Sequence, residues 1–296
     1  MIETSESPHD SEKKVFTRGL VSCAIGYILV AISPVVVADS NVHGLAMAFW
    51  RCWIGFGALA IVILIRKDLS FSRFVSAAPA GICFGSSMGL YFWAAQLTSI
   101  LNASLITLLL PIPLTIAAYF LFSEKLTRVD IVISLITISG AMLLVAMGNN
   151  SGAGNINGDL LAVVSIFISA GYFISAKKTL VSMPLIEFMA GVFAWGGLTL
   201  VPMVLVAQVQ IGAQSNTDLF RILLIAFIPG VGHLLLNYSQ GKAPLNLIAV
   251  FQLIVPVVST LLAYWILSQT VSTFQAIGMA VVIVTLGVNA LRRSTN

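Results

Sequence analysis

Ten long apolar segments, separated by short polar breaks, run through the whole chain. Each is close to the length of about 20 residues that an α-helix needs to cross the hydrocarbon core of a bilayer. The pattern therefore predicts ten transmembrane helices. Their approximate bounds are 18–38, 43–65, 76–97, 100–122, 129–148, 158–181, 184–207, 219–241, 245–267 and 272–291. The breaks are too short to hold a separate soluble domain, and residues 1–17 form a polar tail that we expect to be disordered.

Composition supports this interpretation, since 58% of the 296 residues are hydrophobic and only 9% are charged. A soluble domain carries about 25% charged residues, so most of this surface must face lipid. We therefore predict an all-α integral membrane protein, with the lipid bilayer as its main partner. Cys23, Cys52 and Cys83 lie inside apolar segments and are interpreted as core residues rather than as redox or metal sites. We expect no cofactor, no metal and no nucleic acid.

The fourth apolar segment recurs as the ninth. Pro256 follows Pro111 by 145 residues, and Ser268-Gln269 follows Ser123-Glu124 by the same distance. A transmembrane helix that returns with its proline and its polar exit indicates an internal duplication. We assign the first five-helix repeat to residues 18–148 and the second to residues 157–293. Many carriers are built from two such repeats around a shared site.

Basic residues predict the orientation, because cytoplasmic loops of membrane proteins collect Lys and Arg. With the N-terminus inside, 13 of the 15 basic residues lie at the inner ends of the helices. Arg221 lies outside and Arg51 lies within a helix. The inner residues are Lys13, Lys14, Arg18, Arg66, Lys67, Arg73, Lys125, Arg128, Lys177, Lys178, Lys242, Arg292 and Arg293. Both termini are then cytoplasmic, and because five helices is an odd number, the second repeat is inverted relative to the first.

Arg51 lies about eight residues into the second apolar segment, between Trp50 and Trp53. An arginine at this depth is costly in lipid, so it should face protein or water. One interpretation is a contact with the carboxylate of a substrate. The other is structural, with the side chain capping a helix end or extending to the outer headgroups.

The duplication also selects residues for a central site. At the offset of 145, Trp93 corresponds to Tyr238 and Thr107 to Gln252. A site between inverted repeats is expected near the midplane, at the repeat interface. The alternative for Trp93 is an interfacial aromatic belt. The residues that we expect to bind substrate are Arg51, Trp93, Gln96, Thr107, Tyr172, Asn237, Tyr238 and Gln252.

Two titratable residues within the apolar segments remain. His233 lies at about half depth in the eighth segment and is a candidate for proton coupling, because histidine titrates near neutral pH. The alternative is a neutral histidine that is hydrogen-bonded to a broken backbone beside Pro229. Glu187 lies close to Lys177 and Lys178, and a local ion pair with them is the preferred interpretation over a proton site.

Ten segments, a five-plus-five duplication and the exit Ser123-Glu-Lys-Leu-Thr127 after Pro111 together resemble the drug/metabolite transporter superfamily, in particular its EamA-like family. Asn102-Ala-Ser104, Gly140 and Gly158-Asp159 add to the resemblance, which covers nearly all of the chain. Gln269 departs from the pattern, because many members have Glu there. The resemblance implies a basket of helices around a central cavity, alternating access, and the transport, often export, of amino acids or related metabolites.

We therefore predict a secondary transporter, not an enzyme, that exports a small neutral or zwitterionic metabolite across a bacterial inner membrane, as a monomer or homodimer. The substrate is neutral because the segments hold little fixed charge, with no basic pair for a phosphate and no carboxylate in residues 19–38 for a cation. Protons are a candidate coupling ion. The expected hinges are Pro34, Pro111, Pro229 and Pro256. The alternatives are a receptor or assembly partner, which would usually keep a soluble domain, and a membrane-embedded enzyme, for which no motif is present.

Overall fold

The computed structural model describes residues 8–66, 70–98, 106–146, 155–213, 215–267 and 271–295. Thirteen α-helices lie wholly within these residues. They are α1 (Pro8–Val30), α2 (Ile32–Ala38), α3 (Gly44–Arg66), α4 (Phe71–Ser76), α5 (Ala78–Leu97), α6 (Pro111–Phe122), α7 (Arg128–Ala146), α8 (Ile156–Thr179), α9 (Leu185–Val206), α10 (Asn216–Gln240), α11 (Leu245–Phe251), α12 (Ile254–Leu267) and α13 (Thr273–Thr295). The predicted start of the fourth segment, with Asn102-Ala-Ser104, and the Ser268-Gln269 exit lie outside the described residues.

Seven helical segments of the described residues are long and apolar enough to cross a membrane. They are Lys13–Val37, Gly44–Arg66, Ile156–Thr179, Leu185–Val206, Asn216–Gln240, Leu245–Leu262 and Thr273–Arg292. The prediction of an all-helical, multi-pass membrane protein is thereby confirmed. The count of ten spans stays a prediction.

The polar tail is shorter than predicted, because α1 already begins at Pro8. Proline is favoured in the first turn of a helix, where its missing N–H is not needed. The helix that the apolar segment forms extends back through Lys13 and Lys14 to this residue. The expectation of disorder up to residue 17 was therefore wrong for residues 8–17.

Three membrane helices are interrupted near prolines. The backbone breaks at Ala31, three residues before Pro34, and at residues 108–110, directly before Pro111. A third break at residues 252–253 precedes Pro256. Proline removes a backbone donor and clashes with the preceding turn, which favours such breaks. In contrast, α10 continues through Pro229, so the predicted break there is wrong.

The breaks before Pro111 and Pro256 have the same backbone geometry. Leu110 N donates to Thr107 O at 3.2 Å, and Val255 N donates to Gln252 O at 2.9 Å. Both are tightened i→i−3 turns, and the two pairs are related by the offset of 145 residues. The local structure therefore repeats where the sequence does.

Equivalent helices of the two repeats pack against each other and run antiparallel. Along α3 and α9, Gly55 lies against Phe193 while Cys52 lies against Gly196. Along α7 and α13, the Thr137 hydroxyl donates to Thr285 Oγ1 at 2.9 Å. One end of that second pair is closed by an ion pair between Asp130 and Arg292.

Small residues bring α5 close to α9. A Cβ atom added at Gly85 would lie 2.6 Å from Gly196 Cα, so position 85 has no room for a side chain. Close backbone approach through small residues is the usual way in which membrane helices gain packing contacts. This contact joins the two repeats along the inside of the bundle.

Candidate functional site

A cavity of about 160 Å³ lies at mid-length of the helices, between the two repeats. Residues from both halves of the chain line this cavity. The lining consists of Tyr27, Val30, Ser33, Pro34, Arg51, Phe84, Ser87, Met88, Tyr91, Phe92, Thr107, Leu108, Leu110, Ser165, Ile166, Ser169, Tyr172, Phe173, His233, Leu236, Gln252, Leu253, Val255 and Pro256. None of these lining residues is acidic. Two of the backbone breaks, at residues 108–110 and 252–253, border the cavity directly.

Arg51 is a wall of this cavity and is only 2% exposed. Its guanidinium donates two long hydrogen bonds, to Ser33 Oγ at 3.4 Å and to the Pro229 carbonyl oxygen at 3.2 Å. Nε is buried and has no partner among the described residues. The centre of the guanidinium lies 6.0 Å from the centroid of the Phe84 ring. The interpretation of Arg51 as a residue that extends to the headgroups is therefore wrong.

Three aromatic rings form a cluster beside Arg51. His233 packs edge-on against Phe84, with the ring centroids 5.0 Å apart, and Tyr172 packs against the same phenylalanine at 5.1 Å. His233 Nδ1 is buried without a partner among the described residues. The alternative was a neutral histidine that is hydrogen-bonded to a broken backbone beside Pro229. It is wrong in that respect, because α10 is continuous at Pro229.

Asn237 lies behind the cavity rather than in its lining. Its amide donates to Tyr172 Oη at 2.6 Å and to the His233 carbonyl oxygen at 2.8 Å, and its own oxygen accepts from Gln240 Nε2 at 3.0 Å. It therefore fixes the position of the Tyr172 hydroxyl at the cavity wall. The geometry gives Asn237 a positioning role, and its direct contact with substrate stays a prediction.

Gln252 and Tyr27 add two more unpartnered polar atoms to the cavity wall. Gln252 Oε1 and Tyr27 Oη are buried and make no hydrogen bond with the described residues. Gln252 was predicted from its correspondence to Thr107, which also lines the cavity. Tyr27 and Ser33 were missed, because nothing in the first segment marks which face of the helix points inward.

Other predicted residues lie away from the cavity lining. Gln96 accepts from Gly44 N at 2.6 Å and donates to Val42 O at 2.8 Å, so it closes the start of α3. Trp93 packs on the ring of His43, with the centroids 5.8 Å apart. Lys242 lies over the ring of Tyr238 at 4.1 Å. Pro111 and Pro229 also lie outside the lining.

Glu124 has a role that the sequence did not reveal. Its carboxylate accepts from Leu245 N at 2.6 Å and from Asn246 N at 3.1 Å, which caps the start of α11. It also pairs with Lys177 at 2.7 Å. Three membrane segments therefore meet at this residue. We call this side of the bundle the Glu124 end.

Glu187 does not pair with Lys177 as predicted. Its carboxylate binds Arg73 at 2.7 Å, because α4 places that arginine beside the first turn of α9. At the opposite side of the bundle, Arg221 pairs with Asp39 and Thr98 donates to Asp159 at 2.5 Å. We call that side the Asp39 end.

The model of the EamA-like transporter family matches residues 17–146 and again residues 156–291. The two matches cover most of the chain. The chain belongs to the EamA-like transporter family. No curated protein matches it in sequence.

The fold of this EamA-like protein is similar to that of a solved structure described only as "Crystal structure of protein". The TM-score is 0.74 and the sequences are 19% identical, over 94% of this chain and 98% of the other. At this identity the likeness concerns the fold alone. Family membership makes the protein a membrane transporter that acts on a small molecule in a lipid bilayer.

Proposed function

We propose that this EamA-like protein is a secondary transporter that exports a small neutral or zwitterionic metabolite, such as an amino acid, by alternating access. The observation that carries the proposal is the central cavity, which both repeats line and which holds four buried polar atoms that make no hydrogen bond with the described residues. Buried polar atoms cost free energy unless something binds them. A site of this kind at the repeat interface is where carriers of paired repeats bind their cargo.

The architecture that we propose has ten transmembrane helices in two inverted five-helix repeats. The antiparallel contacts of α3 with α9 and of α7 with α13 support the inversion, because each pair consists of equivalent helices. The matching turns at Thr107–Leu110 and Gln252–Val255 support the duplication. Seven spans are found among the described residues, so the number of ten is part of the proposal.

The Glu124 end is proposed to face the cytoplasm. Arg73, Lys177, Lys242 and Arg292 lie at this end, whereas Arg221 lies at the Asp39 end. An excess of basic residues on the cytoplasmic side is the general rule for membrane proteins. A bacterial inner membrane and the direction of export follow from the family resemblance and belong to the same proposal.

Movement would be absorbed where the helices are already broken. The breaks at Ala31, at residues 108–110 and at residues 252–253 lie beside Pro34, Pro111 and Pro256. Two of them border the cavity, so a change in their angles would alter access to it. The Glu124 network ties three segments at one end and would have to separate when that end opens.

Counterflow in proteoliposomes tests the proposal. Vesicles are loaded in turn with pools of amino acids, nucleosides and vitamins, with and without a pH gradient, and the accumulation of labelled compounds is measured. Accumulation of one compound would establish a carrier and its substrate. If no pool exchanges although the protein is folded in the vesicles, the proposal fails and a receptor role becomes the better interpretation.

A further inference from the structure

We propose that the cavity is a carboxylate site in which Arg51 binds the single negative charge of the substrate. This inference rests on the proposed function and redefines its substrate class, from neutral or zwitterionic metabolites to zwitterions and monoanions that carry one carboxylate. A molecule with one carboxylate on a mostly apolar body fits, whether or not it also carries an amino group. Cations and uncharged amides are excluded.

The first argument is the charge of the chain itself. Five of its eleven acidic residues lie within residues 1–12 or at Asp68, outside the apolar segments. The other six lie at helix ends and are Asp39, Glu124, Asp130, Asp159, Glu187 and Asp218. None of these six lines the cavity. Among the described residues, no acidic side chain therefore lies at the depth of Arg51 to balance its charge.

The second argument is the environment of the guanidinium. Its two protein contacts are a hydroxyl at 3.4 Å and a carbonyl at 3.2 Å, both longer than a strong charged hydrogen bond. Nε is left over. A buried cation without a carboxylate partner is costly, so it is retained only where it acts on something. A carboxylate matches the planar fork of a guanidinium through two parallel hydrogen bonds.

The third argument concerns the rest of the lining. A phosphate would require a second cation, and no Lys or other Arg lines the cavity. Phe84, Met88, Phe92 and Phe173 provide an apolar wall. Gln252 Oε1 accepts no hydrogen bond from the described residues, so it can accept one from an N–H group of the substrate. About 160 Å³ holds roughly ten waters, or a molecule with about as many non-hydrogen atoms.

Matched ligands test the charge requirement on the purified full-length protein. The probes are straight and branched carboxylates of three to eight carbons, the corresponding amides, and leucine, with 4-methylpentanoate and 4-methylpentanamide as the central pair. Binding is measured by tryptophan fluorescence or thermal shift. We expect at least one carboxylate to bind at least 30-fold more tightly than its amide, because loss of a partner in a buried charge pair commonly weakens binding this much or more. Equal binding of acid and amide, or binding of no carboxylate in the series, would overturn the inference.

Variants of Arg51 separate binding from folding. We expect Arg51→Gln to lose carboxylate binding while its melting temperature stays equal to or above that of the wild type, because the variant no longer buries an unbalanced charge. Arg51→Lys should keep part of the affinity. Arg221→Gln, which removes an arginine at the Asp39 end, is the matched control and should bind as the wild type does. A melting temperature that falls in Arg51→Gln would mean that Arg51 serves only to tie α2 to α10.

The transport assay keeps this inference distinct from the proposed function. If Arg51→Gln and the wild type exchange the same uncharged compound equally well, the protein is a carrier and the carboxylate inference is wrong. If neither exchanges any compound, the proposed function itself fails.

Discussion

His233 is the only histidine in the described lining of the cavity, and its surroundings define what it can do. The ring packs against Phe84 with its centroid 6.3 Å from that of Tyr172, and the positive Arg51 lines the same cavity. Asn237 holds the Tyr172 hydroxyl from behind, so the ring cluster has fixed positions. A histidine in a rigid cluster that faces the cavity is suited to sense protons from the cavity side rather than from lipid.

We expect His233→Leu to remove any pH dependence that transport has between pH 6 and 8, because His233 is the only histidine in the described lining of the cavity. Initial rates of counterflow at pH 6, 7 and 8 would measure this. His43→Asn is the control, since His43 lies outside the cavity lining. A pH profile that is unchanged in His233→Leu would exclude His233 from proton coupling.

The duplication selected two pairs of residues for the central site, and the structure places the two pairs differently. Thr107 and Gln252 both line the cavity, whereas Trp93 and Tyr238 both lie outside its described lining. Gln96 was selected because it shares a helix face with Trp93, yet that face meets the loop before α3. Sequence alone does not say which face of an all-apolar helix points inward, because lipid and protein interior select the same residues.

At the scale of elements, the ends of the helices hold most of the polar structure. Arg73 with Glu187, Lys177 with Glu124 and the cap of α11 lie there, whereas the mid-sections carry few charged groups. Apart from the start of α1 and the undescribed start of the fourth segment, the helix bounds were predictable within a few residues, because the apolar length is set by the bilayer. The hydrogen-bond and ion-pair partners at the helix ends were not predictable. Glu124, for example, contacts Leu245 and Asn246, which follow it in the chain by 121 and 122 positions.

We expect Glu124→Gln to lower the free energy of unfolding by about 2 kcal/mol, because the half-buried carboxylate loses a charged hydrogen bond to the start of α11 and its ion pair with Lys177. Denaturant titration in detergent would measure the change. Lys178→Gln, next to Lys177 and exposed, serves as the control and should match the wild type. Wild-type stability in Glu124→Gln would show that the network does not hold the three segments.

The start of α3 gives a pH dependence of stability. Burial lowers the pKa of His43 below its ordinary value of 6.5, and its Nδ1 accepts from Leu45 N at 3.2 Å. The unfolded chain therefore binds the proton more readily, so stability is full above pH 6.5 and falls as the pH drops below it. Melting temperatures between pH 7.5 and 5 would show the decline.

His43→Asn isolates this contribution. Asparagine accepts a backbone hydrogen bond at a helix start but does not titrate, so the melting temperature of the variant should fall less steeply with pH. An equal slope in both proteins would assign the decline to another group.

At the scale of the whole molecule, the two repeats are held together by close backbone contacts. The contact of α5 with α9 through Gly85 and Gly196 has no room for a methyl group, whereas a methyl group at Gly57 would meet nothing within 4 Å. The all-helical organisation in two repeats was predictable from the duplication and the family pattern. The identity of the contacting glycines was not, because glycine is frequent throughout membrane helices.

We expect Gly85→Ala to lower the free energy of unfolding by about 1–3 kcal/mol, since the added Cβ would overlap the backbone of α9. Gly57→Ala is the matched control and should lie within about 1 kcal/mol of the wild type. Unfolding in SDS titrations would compare the two. Equal effects would mean that the packing of α5 on α9 adapts freely.

The unbalanced charge of Arg51 also bears on the energetics of the cell. A substrate that crosses as a carboxylate anion carries one negative charge through the membrane, whereas a zwitterion carries none. A potential of 100 mV, negative inside, contributes about 2.3 kcal/mol per charge, which corresponds to roughly a fifty-fold concentration ratio. For an anionic substrate, the membrane voltage alone would therefore drive efflux from a compartment that is negative inside, without any exchange of protons.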